Sequence, residues 1–346
     1  MTTTHTPLAS IGDLSRSPER TDVQPGAGHR VTRRRIQQVL GLLWLLDGVL
    51  QLQPFMFTKG FASQVIEPTA VGQPVWVAWP VHHGASVVVA HPVPVDLLFA
   101  GVQLALGIGF LWPRTVRTAA LVSVAWAGGV WLFGEGLGGL AGGKAALFTG
   151  APGAAVLYAV LALAAWPAPR RRSATRPPAS GGVATWFPVA WAIIWGDLAL
   201  LAVLPANRSA AAVSDQVTGS IGDVPAWLGH LDRMGGQVVH HLGWSSVLVL
   251  AVVPLAIGLL GLGPLHLRRW AAGSGIFVAV VAWAIGQSFG LLGSGMATDP
   301  NTGPLLALCG VALLGVRPSI GVPIRSARAE VPGRQAVGQA PGVAVS

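Results

Sequence analysis

Four carboxylates stand inside apolar runs of this chain: Asp47, Asp96, Glu135 and Asp197. An ionisable side chain in hydrocarbon costs several kcal/mol, on the order of 3 or more, unless it faces protein or water. Each is therefore a candidate functional group, and no Lys or Arg within the same runs is placed to neutralise it. Asp47 is followed by the amides Gln51 and Gln53, so one face of its run is polar and must turn inward. Pro54 marks the outer end of that run, which puts Asp47 on the order of 10 Å deep at about 1.5 Å per residue. Asp96 follows Pro94 and also suits a helix N-terminus, where a carboxylate meets unpaired backbone N–H groups. Glu135 lies in "WLFGEGLGG" (Trp131 to Gly139), and the pattern recurs as "WAIGQSFGL" (Trp283 to Leu291), with Gln287 in place of the acid. Asp47, Asp96 and Glu135 converge on the outer half of one group of runs; Asp197 is one position off its counterpart in the other.

The second set of candidates is imidazole. His82 and His83 precede the second apolar run, and His240 and His241 precede the sixth. Such pairs near carboxylates suit a divalent metal, a haem iron or a proton relay. No HExxH or CxxC spacing supports a metal, and solvated or hydrogen-bonded histidines are the commoner outcome. The glycines of "FGEGLGGLAGG" allow close helix packing. They do not make a dinucleotide loop, which needs a preceding strand, and Glu135 would repel a phosphate. In "GMATDPNTGP" (Gly295 to Pro304), Asp299 and Asn301 suit the cap of the last run. No Ser/His/Asp or Cys/His nucleophile arrangement stands out, so an enzyme is the less favoured class.

Positioning these residues falls to the apolar runs. Of 346 residues 52% are hydrophobic and only 10% charged, against about 25% charged in soluble domains. Too few charges remain to solvate an outside, so the expected fold is an all-α integral membrane protein. Runs fall at residues 36–54, 95–112, 118–140, 151–166, 186–205, 244–262, 271–292 and 304–316, giving about eight transmembrane helices. The fourth and eighth are short.

The net charge of +9 comes from Arg clusters beside these runs: Arg33 to Arg35, Arg114 and Arg117, Arg170 to Arg172, and Arg268 with Arg269. That distribution orients a membrane protein with both termini in the cytoplasm. No basic face interleaved with aromatics speaks for nucleic acid. The partners expected are the lipid bilayer and a small solute or ion. Cys309 is the only cysteine, which excludes an intramolecular disulfide.

The runs repeat. Trp131 and Trp283 are 152 residues apart, as are Arg117 and Arg269, while Trp44 and Trp195 are separated by 151. Such a constant offset predicts two four-helix repeats. With an even number of spans each, they are parallel about an axis along the membrane normal. The organisation expected is a disordered cytoplasmic tail over 1–32, a first repeat over 33–166, a cytoplasmic linker over 167–183, a second repeat over 184–317 and a disordered tail over 318–346.

At "LGLLWLLDGVLQLQPFMFTKGF" (Leu40 to Phe61) and "GSGMATDPNTGPLLAL" the chain resembles a group of uncharacterised bacterial multi-pass membrane proteins. Each four-span unit is also distantly similar to DoxX/DoxD-like four-helix membrane proteins. The resemblance implies a bacterial cytoplasmic membrane and, for some members, quinone-dependent redox chemistry. Three functions follow as expectations. The first is a permease-like protein in which Asp47, Glu135 and Asp197, with Asp96 and Gln287 nearby, serve a cation, proton or small polar solute. The second is a redox accessory subunit handling haem, quinone or a divalent metal. The third is a non-catalytic scaffold.

Overall fold

A computed structural model describes residues 33–167, 182–219 and 224–316. Both expected tails and most of the expected linker lie outside the described residues. Among the described residues there is no strand, only an isolated bridge between Val183 and Val316. The fold is all-helical. Its helices are α1 (Arg33–Leu50), α2 (Lys59–Phe61), α3 (Val75–Ala90), α4 (Pro92–Leu111), α5 (Val116–Phe133) and α6 (Ala154–Ala164). They continue with α7 (Phe187–Val203), α8 (Ala210–Thr218), α9 (Ala226–Leu242), α10 (Trp244–Gly261), α11 (Leu265–Ala284) and α12 (Thr302–Leu314). Of these, α4, α5 and α10 are long and apolar enough to cross a membrane.

Eight helices coincide with the eight apolar runs, with informative differences at their ends. The run read as 118–140 is helical only to Phe133, because Gly134 opens a segment in which Leu137, Gly138 and Gly139 have left-handed backbone. At Gly138 a Cβ would stand 2.1 Å from the Pro152 carbonyl, so a side chain is sterically barred as well as strained. The run read as 271–292 likewise ends as helix at Ala284. The stretches between runs, read only as outer loops, hold α3, α8 and α9. Helix α3 is apolar but has only 16 residues, and α9 is polar along one face, so neither matches a long apolar span.

Helices α1, α4, α5 and α6 pack as one set and α7, α10, α11 and α12 as another, meeting along α6 and α12. In α1, Ile36, Leu40 and Trp44 recur every four residues and are buried together. The α1–α4 contact is close because Gly41 and Gly107 face each other; a Cβ on either would come within 2.9 Å of the other's carbonyl oxygen. In the other set Trp191 fills the notch left by Gly261 and Gly275, and its indole donates to the Ile257 carbonyl at 3.0 Å. A continuous apolar core runs from Trp44 and Tyr158 through Leu161 to Trp195 and Leu305. A smaller one, around Met56, Phe61 and Val81, lies beneath the α2–α3 cover.

The polar ends of the helices are tied by side chains. Arg34 donates to the carbonyls of Phe110 and Leu111, which end α4, and Gln37 donates to Ala165 O at 2.7 Å, just past α6. Two irregular loops cross between the sets. Residues 143–153 of the first are held from the second by Asn207, which donates to Ala145 O at 2.8 Å, and by Gln287, which donates to Leu147 O at 2.9 Å. Residues 292–301 of the second reach the first, where Gln53 donates to Ala297 O at 3.0 Å.

Asn207 is buried and also donates to Leu201 O at 2.9 Å while accepting from Gln216. Asn207→Ala therefore removes the side-chain donor to Ala145 O, while Leu201 O keeps the Leu204 N–H. It is expected to cost about 1–3 kcal/mol, seen as a lower unfolding midpoint in detergent. An unchanged midpoint would show that the loop is held without it.

Candidate functional site

The first helix set encloses a cavity of about 550 Å³ beneath the α2–α3 cover, within the range of small-molecule sites. Helical spacing builds its floor, since Trp44 and Asp47 lie on one stripe of α1 and Gln51, in the turn that continues it, donates its N–H to Asp47 O. Trp44 donates to Ser123 Oγ at 3.1 Å and packs against the Tyr158 ring, with centroids 4.2 Å apart. Asp47 is 1% exposed, and its Oδ1 has no hydrogen-bond partner. The Tyr158 hydroxyl lies beside that carboxylate yet falls short of hydrogen-bond geometry. Buried polar atoms are nearly always paired, so two unpaired ones facing one cavity are a signal.

Glu135 enters the cavity from the turn after α5. Its Oε1 accepts from Ala155 N at 3.0 Å, so it does cap α6, where a carboxylate meets the positive end of the helix dipole. Its Oε2 has no partner. The approach requires Gly153, whose φ is 102° and whose Cβ would lie 2.3 Å from that oxygen. Gln287 does the corresponding job in the other set, its Oε1 accepting from Gly303 N at 3.1 Å at the start of α12. Its Nε2 is fully used, donating to Leu147 O and to Thr302 Oγ1 at 3.0 Å. The two preceding tryptophans act alike, Trp131 donating to Pro152 O at 2.9 Å and Trp283 to Pro300 O at 2.7 Å. The acid leaves an oxygen free for the cavity where the amide leaves nothing.

Asp299, expected as a cap of the last run, joins the site instead. The cap is Asn301, whose Oδ1 accepts from Thr302 N at 2.6 Å. Asp299 holds the turn, accepting from Asn301 N at 2.7 Å and from Thr298 Oγ1 at 2.8 Å. It faces the cavity close enough to Asp47 and Glu135 for their charges to repel. Burial raises the Asp299 carboxyl above the ordinary carboxylate range, against the opposing bonds from Thr298 and Asn301.

The other candidates lie elsewhere. Asp96 is fully buried one turn inside α4, not at its N-terminus, and accepts from Gln51, so it stands behind the cavity wall. Asp197 on α7 is half-buried with an unpartnered Oδ2, away from the cavity. His82 pairs with Glu67 at 2.5 Å on the surface of the cover. His83 stacks on Trp79, with centroids 5.4 Å apart, and is the one basic side chain lining the cavity. His240 and His241 are exposed at the end of α9. Among the described residues no group of three or more His, Cys, Asp or Glu side chains is arranged to hold a metal ion. Sequence reasoning missed Asp232, which is fully buried on α9 and accepts from Gly286 N at 3.0 Å and Ser288 Oγ at 2.7 Å. Its signal was a lone acid on the apolar side of a polar helix.

No family model, curated protein or solved structure matches the chain.

A raised carboxyl contributes stability that is fully present below its unfolded value, about pH 4, and is lost as pH rises through its folded value. The Asp299→Asn variant should therefore gain on the wild type as pH rises from about 4 toward neutrality. Unfolding midpoints of the two proteins across that range test this; a pH-independent difference would contradict it.

Proposed function

We propose that the chain is a polytopic protein of a bacterial cytoplasmic membrane, permease-like, with a site for a cation, proton or small polar solute in the outer half of its bundle. The reading takes α1, α4 to α7 and α10 to α12 as eight spans in two parallel four-span repeats, over 33–166 and 184–317, with both termini inside. Matching ties at matching places support the repeat: Trp131 to Pro152 and Trp283 to Pro300, Glu135 to Ala155 and Gln287 to Gly303. The described Arg clusters, Arg33 to Arg35, Arg114 with Arg117, and Arg268 with Arg269, lie at helix ends away from the cavity and support the orientation.

One observation carries the functional reading. Asp47, Glu135 and Asp299 surround a single cavity whose wall contains no Lys or Arg. A site that is anionic, aromatic-lined and without Lys or Arg, His83 being its one basic side chain, favours a cation or proton. The haem or quinone reading draws on histidines that lie exposed on two different helices, so the carboxylate cavity supports the permease-like reading more directly.

Proteoliposomes containing the full chain are expected to move protons or small cations faster than empty vesicles. Combining Asp47→Asn with Glu135→Gln should slow that movement at least tenfold, about 1.4 kcal/mol in the rate-limiting barrier. Equal rates in wild type and variant across a panel of protons, alkali cations and amines would sink the reading. Orientation is tested separately, because the only native cysteine, Cys309, is buried. In intact cells Lys59→Cys should react with an impermeant maleimide and Ser173→Cys should not; the reverse pattern would invert the topology.

A further inference from the structure

The cavity is not uniform along its length. Its floor holds the polar groups: Asp47 and Tyr158, both almost fully buried with unpartnered oxygens, and the free Oε2 of Glu135. Its rim, toward α4 and α5, is apolar and open. Leu98 is 59% exposed and Phe133 41% exposed, and Ala125 is exposed as well. These rim residues sit on two of the helices long and apolar enough to cross a membrane, so in the eight-span reading the opening on this side faces lipid. Between floor and rim the wall is Val88, Val95 and Phe99, with the Trp126 indole, whose Nε1 has no partner.

Such an entrance favours, among cations, one that carries a hydrocarbon part. A divalent metal would need ligands closer together than the three carboxylates stand. We propose that the cavity takes a membrane-partitioned alkylammonium amphiphile, which enters between α4 and α5 with its cationic head against Asp47 and Glu135 and its chain along the apolar wall. This rests on the reading of the acid-lined cavity as the protein's binding site and names its ligand class. The head meets charge on one side and aromatic rings on the other, Trp44 and Tyr158 packing against each other at a tilt of 34° at the floor. An ammonium contacts carboxylates over several ångströms without a fixed coordination shell, which matches acids that approach the cavity from α1, the turn after α5 and the loop before α12. The chain replaces lipid contacts with Val88, Val95 and Phe99 and keeps the floor dry, which strengthens the charge interaction.

The test is equilibrium binding to the full chain in phosphatidylcholine nanodiscs, with decyltrimethylammonium, tetramethylammonium and the uncharged decyl maltoside as probes. Partition into lipid is subtracted with empty discs. Decyltrimethylammonium is expected to bind saturably, at least tenfold more tightly than tetramethylammonium and at least tenfold more tightly than decyl maltoside. Combining Asp47→Asn with Glu135→Gln should weaken it at least tenfold. Ala125→Phe, on the exposed rim, should weaken the amphiphile more than tetramethylammonium, and it keeps the test open if the double variant fails to fold. If tetramethylammonium binds as tightly as the amphiphile and both depend on the acids, the amphiphile proposal falls and the acid-lined site stands. If decyl maltoside matches the ammonium, or neither cation responds to the acid substitutions, the proposal falls, and in the second case the acid-lined site falls with it.

Discussion

The start of a short helix inside the protein is the constraint on which the rest depends. Helices α6 and α12 have 11 and 13 residues, roughly 16 and 20 Å at 1.5 Å per residue, against a hydrocarbon core about 30 Å thick. In the eight-span reading each must begin partway across. The first backbone N–H groups of such a helix have no intrahelical acceptor, and lipid offers none. Glu135 and Gln287 supply acceptors, at Ala155 N and Gly303 N. The irregular chain that leads into each helix is held by an indole on a proline carbonyl and by amides from the other helix set. The glycine-rich turns follow from this, because Gly138 and Gly153 leave no room for a side chain between turn and helix start.

Once the two helix starts are capped in the same way, the difference between them becomes chemical. Gln287 is buried with every polar atom engaged, so its side of the molecule is closed. Glu135 offers its carboxylate to one amide and keeps an oxygen over. Asp47 across the cavity and Asp299 from the other set's loop add two more carboxylates. The loop exchange between the helix sets therefore holds the bundle together and also completes the cavity in the first set with a residue from the second. Three acids without a cationic side chain among them are unfavourable electrostatically, an arrangement that protons or a bound cation relieve.

Much of this was legible in the sequence, for identifiable reasons. The eight apolar helices follow from hydrophobic length, and Asp47 and Glu135 from the cost of charge in hydrocarbon. Asp299 could be seen only as a turn residue, since its place beside Asp47 depends on a contact between chain segments some two hundred and fifty residues apart, which no local pattern encodes. Asp96 read as a cap because Pro94 precedes it, yet the helix begins at Pro92 and packing against Gln51 fixes the side chain. Helix α9 was hidden because it is polar along one face, and α3, apolar but only 16 residues long, because Pro80 and the His82–His83 pair interrupt its run. The turn after Phe133 was hidden because Leu137 and the glycines around it are as apolar as the helix they end.

In the proposed reading, the cavity bounded by Asp47, Glu135 and Asp299 is where this protein holds a cation. The most direct measurement is an anomalous difference map from crystals soaked with an alkylammonium carrying bromine beside its nitrogen. One bromine peak is expected within the cavity, between Asp47 and Glu135, and it should disappear in crystals of the Asp47→Asn, Glu135→Gln double variant. A peak only elsewhere on the molecule, or one that persists unchanged in the double variant, would contradict it.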